Sequence, residues 1–363
     1  MWPRHELVER IGLRVPIIQA PMAGANDARL AIAVSRAGAL GSIPCAMLDH
    51  GAIEQQVARF REACDGPLNL NFFCHTPAPP APEAQRIWRE TLAPYYREAG
   101  LDPDKQAPAA QRQPFDAPHC ALVERLRPEV VSFHFGLPAA ELLERVKAAG
   151  CTVLASATTV AEGRWLEARG ADMIIAQGAE AGGHRGIFLS ADTDRQPGTL
   201  ALVPQLADAV TRPVIAAGGI VDARGIAAAF ALGACGVQLG TAYLATPQSL
   251  ISDIHRAALK QARDDNTAIT NLFSGRPARG LINRVIRELG PLSPLAPPFP
   301  TAGGALAPLK RTFEAQGSGD FSSLWAGQAA ALAHEEDAER LTARLGEETL
   351  DRLRALSGAP ARR

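Results

Sequence analysis

A histidine set between two phenylalanines, Ser132-Phe133-His134-Phe135-Gly136, closes a run that begins Val130-Val131. An imidazole at the end of a strand can accept or donate a proton near neutral pH. The competing reading is a packed core histidine. Further on, Gln177-Gly178-Ala179-Glu180-Ala181-Gly182-Gly183-His184-Arg185-Gly186 places four glycines around a histidine and an arginine. That composition suits a loop folding over an anionic ligand, and a flexible surface loop is the alternative. Two more glycine clusters, Ala216-Ala217-Gly218-Gly219-Ile220 and Gln238-Leu239-Gly240-Thr241-Ala242, each end an apolar run. Glycines let backbone N–H groups approach an anion, and a following helix N-terminus adds a favourable dipole. Glycines also merely turn tight loops, so a phosphate site here depends on where the fold puts them.

The elements that must position these residues are short Val- and Ile-rich runs alternating with Ala-rich amphipathic stretches. Candidate strands are Val15–Ala20, Leu40–Ile43, Leu68–Phe73, Val130–Phe135, Thr152–Ser156, Asp172–Gln177, Pro213–Ala217 and Gly236–Leu239, eight in all. Their continuous apolar character predicts parallel strands covered on both sides. Thr159 with Glu162 reads as a capping box, and Asp222 as the N-cap of a later helix. The joints AAGCTVLAS, ARGADMIIAQ and ALGACGVQLG repeat one pattern of helix, glycine, small residue and strand. The expected fold is an α/β (β/α)8 TIM barrel over residues 1–245. Residues 315–363 are expected to pack back on it, and residues 246–314 to form a small helical and irregular second domain. Residues 76–118, rich in Pro, Ala and Gln, read as a partly helical insertion after the third strand. In such a barrel the site lies at the C-terminal strand ends, and the loops after strands seven and eight commonly bind phosphate.

The totals narrow the function. The 363 residues carry a formal net charge of −1, which gives no basic surplus for nucleic acid. No apolar stretch is long enough to span a membrane without Gly, Pro or charge. The N-terminus has too many charges for a signal peptide. Six scattered cysteines without a CxxC pair predict reduced thiols in a cytoplasmic protein. The lysines Lys105, Lys147, Lys260 and Lys310 end no predicted strand, which counts against Schiff-base chemistry. His134 and His184 have no nearby pair of acids, so no metal site is expected. By elimination a bound cofactor supplies the reactivity, and these residues alone do not name it.

The ordered set QAPMAG (19–24), AVSRAGALGSI (33–43), NLNFF (69–73), SFHFG (132–136), AQGAEAGGHRG (176–186), AAGGI (216–220) and QLGTAYLAT (238–246) resembles the nitronate monooxygenase family, formerly called 2-nitropropane dioxygenase. The resemblance implies FMN, with a small-molecule substrate and O2 as partners. It implies flavin contacts at Ala20, Met22, Asn71, Gln177, Gly182, Gly183, Gly219, Gly240 and Thr241. His134 falls on the family's catalytic histidine, and His184 is a substrate-side candidate. The implied reaction is oxidation of alkyl nitronates, with neutral nitroalkanes as a further option, to a carbonyl compound and nitrite. The alternatives are an FMN-dependent NAD(P)H reductase of the same superfamily and a non-catalytic flavin-binding protein. The chain departs from the family pattern at Ala25-Asn26-Asp27 and has Trp325 where tyrosine is common. Oligomeric state, a homodimer included, is not fixed by the sequence.

Overall fold

The computed structural model describes residues 1–103, 105 and 112–358. Its strands β1 (Ile17–Gln19), β2 (Gly41–Pro44), β3 (Leu68–Phe73), β4 (Val130–His134), β5 (Thr152–Ala157), β6 (Met173–Gln177), β7 (Val214–Ala217) and β8 (Gly236–Leu239) form one parallel sheet. They pair in chain order, β8 returns to β1, and a bridge between Ile18 and Leu40 joins β1 to β2 and closes the barrel.

Alternation along each strand sorts side chains between two cores. Ile18, Leu40, Val130, Leu154, Met173, Ile175 and Ile215 fill the barrel. Leu7 and Ile11, on the helix Glu6–Ile11, join that cluster, and Leu7 reaches Gly236 at the start of β8, so this helix plugs the N-terminal end. Ile17, Ile43, Leu68, Leu70, Val131 and Val153 face outward into the layer shared with the surrounding helices.

The helix stops and starts follow local chemistry. Asp222 accepts from the N–H groups of Arg224 and Gly225 and starts the helix Ala223–Ala231. Thr159 accepts from the Glu162 N–H, while the Glu162 carboxylate turns to the Thr158 N–H at 2.7 Å, one residue earlier than a capping box requires. Its other oxygen accepts from the Phe188 N–H at 2.8 Å, so the carboxylate also ties down the loop after β6.

Residues 246–314 contain the helices Asp253–Lys260, Arg284–Leu289 and Ala302–Ala315 and also two antiparallel strands, Thr267–Thr270 and Ala278–Leu281. The sequence reading held no strands there. Gly183–His184 pairs with Ala278–Leu281, so the loop after β6 is stitched to this second layer. The insertion belongs with it too. Trp88, Leu92, Tyr95 and Tyr96 on the helix Pro82–Glu98 pack with Leu306, Leu309 and Phe313, and Trp88 Nε1 donates to the Ala302 carbonyl at 3.0 Å. The last helix, Ala338–Leu356, lies against Ala28–Arg36 and Ala223–Ala231 on the barrel wall.

Candidate active site

β4 ends in a backbone turn that sequence alone does not reveal. Phe135 has a φ of 69°, a left-handed conformation rare for an aromatic residue, and such outliers gather at functional sites. The turn brings the Phe135 ring within 4.4 Å of the adjoining His134 ring, although successive strand residues would face apart. Phe73, Phe135 and Phe299 then form an apolar wall around His134 and His184. The Arg276 guanidinium lies 3.9 Å over the Phe135 ring.

His134 Nδ1 sits 2.5 Å from Ser156 Oγ and its Nε2 lies 3.3 Å from the His184 carbonyl. Ser156 Oγ is also 3.4 Å from the Phe133 carbonyl. Both contacts are met with the ring proton on Nε2, donating to the His184 carbonyl, while Nδ1 accepts from the Ser156 hydroxyl. A second proton would enter at Nδ1, with Ser156 Oγ turning to accept it and passing its own hydrogen toward the Phe133 carbonyl. Burial first, and the nearby Arg276 second, push His134 down to about 3. His184 is held well below the usual imidazole range, chiefly by burial. Both rings are therefore neutral at physiological pH. His184 Nε2 lies 2.8 Å from Ser274 Oγ, which fixes the ring on the second layer.

The loop after β6 uses its polar residues on itself. Arg185 is fully buried and donates to the carbonyls of Ala181, Gln177 and Gly178 and to Gln196 Oε1. It clamps the loop and does not face a ligand. Gln177 donates to the His184 carbonyl at 3.0 Å and accepts from the Gly186 N–H at 2.7 Å, so both ends of its amide pin the same loop. Gly186 is required by close approach, because a Cβ there would lie 2.9 Å from His134 Cε1.

All eleven residues proposed from the sequence, His134, His184, Ala20, Met22, Asn71, Gln177, Gly182, Gly183, Gly219, Gly240 and Thr241, line one cavity of about 490 Å³ at the C-terminal mouth. Gly218 and Gly219 adopt φ of 120° and 67°, which turns the chain after β7 in a way an L side chain resists. Thr241 Oγ1 accepts from the Gly327 N–H at 3.0 Å and keeps its own proton to donate. The Met22 N–H donates to Asn26 Oδ1, and Asn26 Nδ2 donates to the Ser42 carbonyl, both at 2.8 Å. The unusual Asn26 is thus a brace for the Met22 loop.

Several lining residues escaped the sequence reading. Gln238, on β8, has a buried Oε1 with no partner among the described residues. Arg112 enters from the far end of the insertion, held near the mouth by the Phe115 N–H donating to the Phe73 carbonyl at 2.7 Å. Nothing in the spacing of a Pro- and Gln-rich stretch signals that it returns to the site. Trp325, which the family pattern already marked, packs 5.6 Å from His184 and belongs to a strap, residues 322–329, that crosses the mouth. Among the described residues no group of three or more His, Cys, Asp or Glu could hold a metal, and no helix is long and apolar enough to cross a membrane.

Fold and site together define an enzyme of the (β/α)8-barrel class, with its polar groups gathered at the C-terminal mouth. Residues 4–348 match the nitronate monooxygenase family, and the chain belongs to that family. It is 44% identical to a nitronate monooxygenase of Pseudomonas aeruginosa over 93% of this chain and 97% of that one. It is 41% identical to a nitronate monooxygenase of Paraburkholderia phytofirmans over 95% of each chain. A solved nitroalkane oxidase from Streptomyces ansochromogenes superposes with a TM-score of 0.88 at 37% identity, covering 96% of this chain and 99% of that one. The protein is an oxidoreductase that oxidises nitronates or nitroalkanes.

Proposed function

We propose that the chain uses FMN and O2 to oxidise alkyl nitronate anions to a carbonyl compound and nitrite, with neutral nitroalkanes as poorer substrates. The observation that carries this reading is the charge of the cavity. The lining histidines His134 and His255 are pushed down to about 3 and about 4, and His184 lower than its usual range. The lining carboxylate, Glu314, accepts from Ser322 Oγ at 2.6 Å and lies 3.9 Å from Lys310, which leaves Arg112 uncompensated. A positive, apolar-walled cavity favours an anion over its neutral acid. An imidazole held near 3 is also a weak base toward a neutral carbon acid.

The residues present fit a flavin. Gln238 Oε1 is buried and awaits a donor, as a ring N–H provides. A Cβ built on Gly240 would already touch Ala20 and Met22, 3.7 and 3.9 Å away, so a larger side chain would take up the cradle that these three residues line. Gly219, Gly240 and Thr241 would hold the phosphate, and Ala20, Met22, Asn71, Gly182, Gly183 and Gln238 the ring. FMN supplies the electron acceptor and the centre that reacts with O2. The chain's own task is to bind the anion, keep water from the imidazoles with the Phe73, Phe135 and Phe299 rings packed around them, and hold any proton released at His134 Nδ1. The six cysteines are unpaired, and with no disulfide in the fold we assign the protein to the cytoplasm.

Two measurements test this. Denatured protein should release FMN and no FAD by mass spectrometry. Aerobic mixing with ethyl nitronate should consume O2 and form nitrite. A colourless protein that ignores added FMN would remove the cofactor. Fast anaerobic bleaching by NADH or NADPH, without nitrite from any nitronate, would make the chain a reductase instead.

A further inference from the structure

Arg112 is the one arginine among the described cavity-lining residues, and its guanidinium makes no hydrogen bond or ion pair with a described residue. Its Nε is buried and unpartnered. Arg185, by contrast, satisfies its donors on three carbonyls and a glutamine although it lies deeper. A half-buried guanidinium with its donors unspent is left for an anion that enters the cavity to complete. A guanidinium offers a planar fork of parallel N–H groups that matches a planar group with two oxygens. The nitronate group and a carboxylate share that shape and charge.

We propose that Arg112 clamps a planar two-oxygen anion of the substrate, supplied either by the nitronate group or by a carboxylate on its tail. The clamp rests on the nitronate reading for its substrate but not for its existence. The anchor of Phe115 on β3 sets where the arginine enters, three residues earlier in the chain. The insertion therefore contributes a specificity-determining side chain, and its role is wider than packing on the second layer. His184, whose ring shares the cavity with Arg112, is neutral and does not compete for the anion.

The test uses the full holoenzyme with Arg112→Leu and Arg112→Lys. Because the guanidinium bonds to no described residue, both variants should keep their flavin content and melting temperature. Propionate serves as an inert probe, its binding read by calorimetry. Its Kd should weaken at least 10-fold in Arg112→Leu and recover partly in Arg112→Lys, which keeps the charge without the fork. KM should rise by a similar factor while kcat changes little. A rise for ethyl nitronate and for 3-nitropropionate nitronate alike assigns the clamp to the nitronate oxygens. A rise for the carboxylated substrate alone assigns it to the tail. Unchanged propionate binding and unchanged KM for both substrates would overturn the clamp. If wild type forms no nitrite from either nitronate, yet loses propionate binding in Arg112→Leu, the nitronate reading fails and the anion site stands.

Discussion

At His134 two requirements oppose each other. The Phe73 and Phe135 rings and the Arg276 charge keep the imidazole neutral, which leaves a lone pair free but weakens it as a base. A preformed nitronate needs no deprotonation, whereas a neutral nitroalkane does. His134→Asn should therefore retain FMN and melt within a few degrees of wild type. Its turnover of neutral nitroalkane should fall by about 10²-fold, the usual range for a lost general base. Turnover of the nitronate anion should fall much less. The quantity to measure is the ratio of the two losses at equal flavin content. Equal losses would make His134 a residue that orients the anion, and no loss would make it a packed core side chain.

The barrel strands were legible because each is a continuous apolar run facing two cores, and the glycine loops because they follow those runs directly. Thr267–Thr270 and Ala278–Leu281 were not, since the first carries three half-exposed positions and the second reads Ala-Arg-Gly-Leu, so neither is an apolar run. Arg185 reads in the sequence as part of a loop over an anion yet spends its donors on backbone carbonyls and Gln196, because burial and backbone partners are not visible in residue type. The loop after β8 gives the cleanest element-scale test. Gly240 has a φ of −107°, and an added Cβ meets nothing closer than 3.7 Å, so the backbone tolerates a side chain. Gly240→Val should keep the barrel's circular dichroism and melting behaviour while losing FMN. Full flavin occupancy in that variant would remove the proposed cradle. In the second layer, Trp88 is 1% exposed and seals the helix Pro82–Glu98 onto Ala302–Ala315. Trp88→Ala should cost roughly 3–5 kcal/mol of local stability. Amide exchange should speed in those two helices and stay slow in β5 and β6; uniform acceleration would show that barrel and second layer unfold as one unit.

The mouth where barrel and second layer meet is also where the buried histidines lie, and this makes the whole molecule sensitive to acid. His75, just past β3, and His255, on Asp253–Lys260, are 4% and 7% exposed, and burial pushes each down to about 4. His255 Nε2 lies 3.1 Å from the Trp325 carbonyl and so ties its helix to the strap. The unfolded chain takes up a proton on each near 6.5, whereas the folded chain resists until about 4. Between these values the unfolded state binds more protons, so stability rises with pH. Their contribution is complete above about pH 6.5 and is lost as pH falls toward 4. Each ring accounts for at most about 1.4 kcal/mol per pH unit, and His134 and His184, held low by burial, add in the same direction. The paired carboxylates, such as Glu98 and Glu124, lose their contributions only below their ordinary value of 4.5, so the upper window belongs to the histidines. Urea midpoints should accordingly drop between pH 7 and pH 5, with little change from pH 8 to pH 7. His255→Gln can still donate to the Trp325 carbonyl and cannot titrate. It should flatten the slope between pH 6.5 and 5 while lowering the midpoint at pH 8 only slightly. A wild-type midpoint that stays level down to pH 5 would show that these rings gain no extra proton on unfolding, and would place the acid sensitivity with the carboxylates.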